Sequence, residues 1–270
     1  MSVRVYTGPH ADRGRGRRGG LLRALPWVLA ATTIAAQIAW PLTSGTTRDL
    51  LTVATVVLFF LTSASHALLT RGAAWTAGWF VTSAGIGFLA ELAGTRTGLP
   101  FGSYDYADTL GPTVAGVPAV IPLAWAMMSY PALLAARRLS SGPLLTPVVA
   151  AVALASWDLF LDPQMVAEGH WTWNVEGPTL PGITAIPAQN FVGWLLVSLV
   201  IMLVLDRLPR RRTDGAEGDG VPAVMYLWTY VSSILLNAVF LGRPAVAAWG
   251  GVVMGLVAVP YAYALWTGRD

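Results

Sequence analysis

Long apolar segments, separated by shorter polar connections, dominate the sequence. An α-helix rises about 1.5 Å per residue, so roughly 20 apolar residues are needed to cross the hydrocarbon core of a bilayer. The apolar segments have about this length and lie at approximately residues 22–42, 50–70, 74–94, 116–136, 144–162, 187–206, 222–242 and 245–266. The pattern predicts an all-α protein, a polytopic membrane helix bundle of about eight transmembrane helices.

The amino-acid composition agrees with a membrane protein and excludes several kinds of chemistry. Hydrophobic residues make up 55% of the chain and charged residues 11%, against about 25% charged residues in soluble domains. Because the chain has no Cys, disulfides, Cys-bound metals and thiol nucleophiles are excluded. Every basic residue is Arg rather than Lys, which excludes a Schiff-base lysine and a P-loop lysine.

The arginines cluster at the ends of the apolar segments and indicate the orientation of the chain. If the N-terminus is cytoplasmic, fourteen of the 17 arginines fall on the cytoplasmic side and three on the outer side. By the positive-inside rule, both termini are therefore predicted to be cytoplasmic in a multi-pass protein of the cell membrane. The same clustering argues against nucleic-acid binding, which the net charge of +3 and the pI near 9.5 would otherwise suggest.

Two kinds of polar segment lie outside the apolar runs. Residues 1–20 are rich in Gly and Arg, and we expect a disordered basic cytoplasmic arm there, followed by a single transmembrane domain over residues 21–270. The connections 95–115 and 163–186 are long and lie outside the membrane in the predicted topology. Since long ordered loops often carry binding or catalysis, we expect these two to cover a polar crevice.

Asp158 and Asp162 end the fifth apolar segment, where Pro163 is expected to stop the helix. Residues four positions apart share a helix face, and carboxylates at the edge of the hydrocarbon are costly enough to favour a function. A metal site needs three or four ligands, and this pair resembles only half of the Asp-rich metal motifs of membrane prenyltransferases. We therefore predict no metal, which leaves an acid pair or a structural role in which Asp162 caps a turn.

As acids, these residues could donate protons. Removal from water favours the neutral form of a carboxyl group, and two adjacent carboxyls favour sharing one charge. A protonated acid can then donate to a poorly basic substrate. Glu91, deep in the third span, is a further candidate, although an ion pair with Arg96 would explain it equally well. Asp105, between two tyrosines, is either a site residue or a plain loop residue.

Other polar and aromatic residues lie near these acids in the sequence. Asn190 begins the sixth span and needs a partner, either a water or another helix. His170 is interpreted as a solvated loop residue rather than as a general base. Four tryptophans flank the acids, namely Trp157, Trp171, Trp173 and Trp194. Their aromatic faces could stabilise a cation.

Several motifs occur together in one order along the chain. They are Glu91, then Gly98-Leu99-Pro100-Phe101-Gly102-Ser103-Tyr104-Asp105-Tyr106, Trp157-Asp158-Leu159-Phe160-Leu161-Asp162-Pro163, Trp171-Thr172-Trp173, Pro181-Gly182-Ile183 and Pro187-Ala188-Gln189-Asn190-Phe191-Val192-Gly193-Trp194. In these motifs the chain resembles the CruF-type carotenoid hydratases, a membrane carotenoid biosynthesis family that includes the bisanhydrobacterioruberin hydratases. The resemblance covers roughly residues 75–210, about half of the chain.

The resemblance implies addition of water across the terminal C=C bond of an acyclic C40 or C50 carotenoid, giving a tertiary alcohol without a redox cofactor. The acids suit this reaction, since protonation of a trisubstituted alkene gives a tertiary cation that water captures. We expect Asp158 to donate the proton, Asp162 or Glu91 to tune it, and Asn190 to hold the water. The expected catalytic residues are Asp158, Asp162, Glu91, Asp105 and Asn190, and the expected substrate-binding residues are Phe101, Tyr104, Trp157, Trp171, Trp173 and Trp194.

The expected partners are the carotenoid, water and the lipid bilayer, and association with other carotenoid enzymes is left open. A carotenoid cyclase or prenyltransferase is an alternative, because a cyclase would also begin with protonation. A lipid or small-molecule transporter is less favoured. It predicts inverted repeats and interrupted helices near the bilayer midplane, whereas the polar residues of this chain gather at one end of the predicted spans.

Overall fold

The computed structural model describes residues 11–209 and 218–268. Within these residues, eight helices are long and apolar enough to cross a membrane, which confirms the predicted number. They are α1 (Ala11–Ala39), α2 (Gly45–Arg71), α3 (Ala73–Thr97), α4 (Val120–Leu139), α5 (Leu145–Ala167), α6 (Ala188–Leu205), α7 (Gly220–Leu235) and α8 (Pro244–Thr267). Two short 3₁₀ turns, Trp40–Leu42 and Asp108–Leu110, and a π-helical turn, Leu236–Phe240, complete the helical structure.

Helices α4 and α5 form the centre of the bundle. Alanines let them approach their neighbours closely, because small side chains reduce the distance between packed helices in a membrane. The fully buried alanines on these two helices include Ala126, Ala132, Ala135, Ala136, Ala150, Ala151 and Ala153. The more peripheral helices instead present large apolar side chains outward, such as Leu50 on α2, Leu89 on α3 and Leu256 on α8.

The two long connections meet at one end of the bundle. Strand β1 (Ser103–Tyr106) from the first pairs antiparallel with β4 (Trp171–Asn174) from the second, so that Tyr104 faces Trp173 and Tyr106 faces Trp171. Each connection also contains a short hairpin, β2 (Thr113–Val114) with β3 (Val117–Pro118), and β5 (Thr179–Leu180) with β6 (Ile183–Pro187). We call residues 98–119 and 168–187 together the lid.

Two boundary predictions were wrong. Helix α5 does not stop at Pro163 but runs to Ala167 with the proline inside it. A proline removes a single backbone donor, which costs the helix only the hydrogen bond to the Leu159 carbonyl, and a packed bundle tolerates such a loss. One turn from the end of the helix, Arg243 Nη1 donates to the carbonyl of Pro163 itself over 3.0 Å. Helix α1 begins at Ala11, well before residue 22, where the first apolar segment was predicted to begin.

Residues 1–10 and 269–270 lie outside the described part of the chain. The remainder of the predicted arm is therefore untested. The cytoplasmic location of both termini also stays a prediction, as does the division of the chain into an arm and a single transmembrane domain.

Candidate active site

Asp158 and Asp162 lie one helical turn apart on α5 and share one partner on α6. Asn190 Nδ2 donates hydrogen bonds to Asp158 Oδ2 over 2.7 Å and to Asp162 Oδ2 over 2.5 Å. All three side chains are at most 2% exposed. Asn190 therefore has another helix's carboxyl groups as its partners, and the two acids are drawn together away from solvent.

The two carboxyl groups of this cluster differ in their remaining hydrogen bonds. Asp162 Oδ1 accepts a hydrogen bond from Trp171 Nε1 over 2.7 Å, so both of its oxygens have a donor. Asp158 Oδ1 and Asn190 Oδ1 are buried and have no hydrogen-bond partner among the described residues. Since buried polar atoms are nearly always partnered, these two oxygens are the natural positions for a proton, a water or a substrate.

Glu91 on α3 is the third buried carboxyl group, and three aromatic residues hold it. Tyr104 and Tyr106 each donate a hydroxyl to Oε2, over 2.5 Å and 2.8 Å, and Trp125 Nε1 donates to Oε1 over 3.0 Å. Arg96 is exposed, so the pairing of Glu91 with Arg96 that was considered above does not account for Glu91. The three donors leave neither oxygen of this carboxyl group without a partner and hold it in one orientation.

The two tyrosines reach Glu91 from strand β1. Successive side chains of a strand point to opposite faces, so Tyr104 and Tyr106 share a face. Burial, followed by the nearby Glu91 carboxylate, raises the pKa of both phenols above its ordinary value. Both therefore keep their protons and act as hydrogen-bond donors to Glu91.

Aromatic rings surround the carboxyl groups. Trp194 stacks on Trp125 with ring centroids 3.9 Å apart and planes at 14°, and it meets Trp157 edge-on at 6.2 Å. In the lid, Tyr104 lies against Trp173 with centroids 4.6 Å apart. Such π-rich walls suit a cationic group.

Two cavities lie beside this cluster. The small one, of about 30 Å³, is lined by Glu91, Phe101, Tyr104, Tyr106, Ile121, Ala124, Trp125, Leu161, Asp162, Trp171, Trp173, Asn190 and Trp194. A buried water needs roughly 10–15 Å³ measured in the same way, so the small cavity has room for one or two waters. The large cavity, of about 260 Å³, lies between α1, α2, α5 and α7, and Leu161 lines both.

The structure brings together most of the predicted site residues but not Asp105. Its side chain is exposed, because the alternation of β1 turns it to the face opposite Tyr104 and Tyr106. Among the substrate-binding candidates, Phe101, Tyr104, Trp171, Trp173 and Trp194 line the small cavity, and Trp157 lines the large one. Within the described residues, no three His, Cys, Asp or Glu side chains are grouped as metal ligands would be.

His170 is not the solvated loop residue that the sequence suggested. Its side chain is fully buried, its Nδ1 lies 2.7 Å from Thr109 Oγ1, and its Nε2 lies 3.9 Å from Asp49 Oδ1. Burial, the largest effect, lowers its pKa, while the carboxylates of Asp49 and Glu168 act in the opposite direction. The polar residues around His170 in the sequence gave no sign that the lid folds over it.

Two residues of the cluster, Tyr106 and Trp125, were not predicted as site residues. Tyr106 could have been found, because it stands two residues after Tyr104 and a strand would place both on one face. Trp125 could not have been found in this way. It lies on α4, 34 residues from Glu91, and only the packing of α3 against α4 brings the two together.

Two comparisons with known proteins found a match. A family model described as "Carotenoid biosynthesis protein" matches residues 51–258. Bisanhydrobacterioruberin hydratase from Haloarcula japonica is 31% identical over 194 residues, which cover 66% of this chain and 59% of the relative. The chain thus spans less than two thirds of that relative's length. No solved structure matches the chain.

The family model covers more than half of the chain, including both sets of loop motifs and the helices that carry the buried carboxyl groups. Together with eight helices able to cross a membrane, the match indicates a multi-pass membrane protein. The chain belongs to the carotenoid biosynthesis protein family.

Proposed function

We propose that this chain is a carotenoid hydratase, which adds water across the terminal C=C bond of an acyclic carotenoid end group to give a tertiary alcohol. The observation that carries the proposal is the buried cluster of Asp158, Asn190 and Asp162, in which one carboxyl oxygen has no partner. A relative that is named a hydratase supports it. The membrane that holds the protein is expected to be the cell membrane.

The first step is protonation of the alkene. The π electrons of the terminal double bond form a C–H bond with the acidic hydrogen at the less substituted carbon, and the O–H electrons stay on the carboxylate. The product is a tertiary cation. A neutral carboxyl group held out of water can serve as this acid, because no bulk water competes for the proton.

Asp158 is the better proton donor of the pair. Both oxygens of Asp162 accept N–H hydrogen bonds, from Trp171 and Asn190, which favours a charged Asp162. Asp158 accepts one hydrogen bond and keeps Oδ1 free. Since two adjacent carboxyls favour sharing one charge, the proton of the pair belongs on Asp158 Oδ1.

The cation is stabilised by charge and by π faces. Glu91 lines the same cavity as Asp162, and its three donors hold its carboxyl group in one orientation beside the charged Asp162. Trp194 and Trp157 meet edge-on beside the cluster and add aromatic faces. Groups that are already oriented need no rearrangement as the charge develops, which is where electrostatic catalysis gains most.

Water capture completes the reaction. The small cavity has room for a water between Asn190, Asp162 and Glu91, and the partner-free Asn190 Oδ1 can orient it. The water oxygen forms a C–O bond with the cation, and its surplus proton returns to the Asp158 carboxylate. Hydrogen and hydroxyl have then been added and the acid restored. No electrons are gained or lost, so the balance requires no redox cofactor.

The test is the isosteric variant Asp158→Asn, produced in a host that makes acyclic carotenoids. We expect hydration to fall by about 10²–10⁴-fold, the usual contribution of a general acid, with the amount of folded protein unchanged. Asp105→Asn is the matched control, since Asp105 is exposed on the lid, and it should retain full activity. Full hydration by Asp158→Asn would refute the assigned donor.

The mass of the pigment made by the unaltered chain distinguishes the classes of reaction. Hydration adds the mass of water, cyclisation leaves the mass unchanged, and prenylation adds a five-carbon unit. Feeding acyclic C40 and C50 carotenoids separately identifies the chain length accepted. A product of unchanged mass would replace the hydratase by a cyclase that uses the same acids.

A further inference from the structure

The large cavity has no part in the mechanism above, yet it is about 260 Å³ against about 30 Å³ for the small one. The small cavity accommodates water but is too small for an isoprenoid end group. A substrate whose end group reaches the acids must therefore occupy another space. The large cavity adjoins the cluster, since Leu161 lines both cavities.

The large cavity opens toward the surface that faces lipid. Three apolar residues that line it are each more than half exposed, namely Ile38 on α1, Leu235 on α7 and Phe240 in the π-helical turn. They lie where the ends of α1 and α7 flank the cavity. A carotenoid dissolved in the bilayer could therefore enter from the side, without crossing water.

The walls of the large cavity present mostly carbon. Trp40, Trp157, Phe160 and Trp228 contribute aromatic surface. The threonines in the wall direct their hydroxyls to backbone carbonyls, as Thr55 does to Thr52 and Thr229 does to Met225, which leaves their methyl groups free to face the cavity. Apolar and aromatic lining is typical of small-molecule sites.

Helix α5 separates the two cavities. Trp157, Phe160 and Gln164 line the large cavity, Asp162 lines the small one, and Leu161 lines both. Successive helix residues are rotated by about 100°, so Asp158 projects between the direction of Trp157 and that of Asp162. The proton donor assigned above thus lies at the wall between the two spaces.

We propose that the two cavities divide the reactants, the large one holding the terminal isoprenoid unit of the carotenoid and the small one holding the water. The inference rests on the proposed function, which it deepens. The alkene approaches α5 from the lipid side, and Leu161 is the side chain that it contacts on the way to Asp158. The π-helical turn at Leu236–Phe240 forms part of the rim, as π-helical turns often do at functional sites.

The test fills the large cavity without touching the acids. Ser232→Phe places a ring in the cavity, whereas Val231→Phe is the matched control, because Val231 is 58% exposed on the same helix and does not line the cavity. Binding is measured in the Asp158→Asn background with phytofluene, an acyclic C40 polyene that absorbs where tryptophan emits. Trp157 and Trp228 line the cavity, so their fluorescence should be quenched.

We expect Ser232→Phe to weaken quenching at least tenfold and the control to bind normally. In the otherwise unaltered chain, Ser232→Phe should raise the KM for hydration. Thr55→Phe, which fills the cavity from α2, gives a second reading if Ser232→Phe does not fold. Unchanged quenching in whichever of these variants folds overturns the inference. Binding needs no turnover, so the two proposals can fail separately. If Ser232→Phe loses quenching but the chain with Asp158 intact hydrates no carotenoid, only the proposed function is refuted.

Discussion

Trp171 donates its indole N–H to Asp162 over 2.7 Å. The tryptophan belongs to lid strand β4 and the carboxyl group to α5, so the lid completes the hydrogen bonding of the acid pair. Asn190 can satisfy only one oxygen of each aspartate. The lid therefore determines which of the two acids is fully hydrogen-bonded and which keeps a free oxygen.

Removing this donor should destabilise the protein. Trp171→Phe leaves Asp162 Oδ1 buried without a partner, which costs about 1–3 kcal/mol, and we also expect slower hydration. Trp173→Phe is the control, because Trp173 Nε1 has no hydrogen-bond partner among the described residues and the ring contact with Tyr104 can persist. Thermal unfolding in detergent measures both. Equal losses in the two variants would show that the Trp171–Asp162 hydrogen bond does not matter.

Because α3 packs closely against α4, we predict that two glycines of α3 differ in whether they tolerate replacement by alanine. A Cβ at Gly87 would lie 2.6 Å from Trp125 Cγ, whereas a Cβ at Gly85 would have nothing within 4 Å. Gly87→Ala should displace Trp125 from Glu91 and destabilise the protein by about 1–3 kcal/mol. Gly85→Ala should be neutral or stabilising by about 0.5–1 kcal/mol. Both variants are measured by thermal unfolding and by hydration activity. A stable and active Gly87→Ala variant would contradict the close contact between Gly87 and Trp125.

The burial of His170 predicts that the folded protein loses stability as the pH falls. Burial lowers its pKa in the folded protein below the ordinary value of about 6.5, so the unfolded chain binds the proton first as the pH falls. The stability that His170 contributes is thus complete above about pH 6.5 and is lost as the pH falls through the lower folded pKa. We expect the Tm to fall between about pH 7.5 and 5 less steeply in His170→Gln than in the unaltered chain. If the Tm falls equally steeply with pH in both proteins, His170 does not contribute to the pH dependence of stability.

The orientation in the membrane can be tested because the chain has no Cys. Single cysteines can be introduced at Glu176 in the lid and at Ser141 between α4 and α5, both of which are exposed. With an impermeant thiol reagent on intact cells, we expect labelling at position 176 and none at 141 until the cells are opened. The reverse pattern would invert the predicted topology and leave the chemistry unchanged.

Much of the architecture could be predicted from the sequence. Hydropathy and helical periodicity are local properties, and in a bilayer every backbone group must be satisfied within the helix, so eight apolar segments predicted eight helices. The same local geometry placed Asp158 and Asp162 on one face of α5. The motifs also indicated the family, because they preserve the order and spacing of particular side chains.

The contacts between distant segments were decided only by the tertiary structure. The bridge from Asn190 to both aspartates, the three donors around Glu91 and the burial of His170 join residues on different helices and loops. The pairing of β1 with β4 turned Asp105 outward. Hydropathy carries no information about which helix faces meet or how two loops align. Those depend on side-chain packing between segments far apart in the chain.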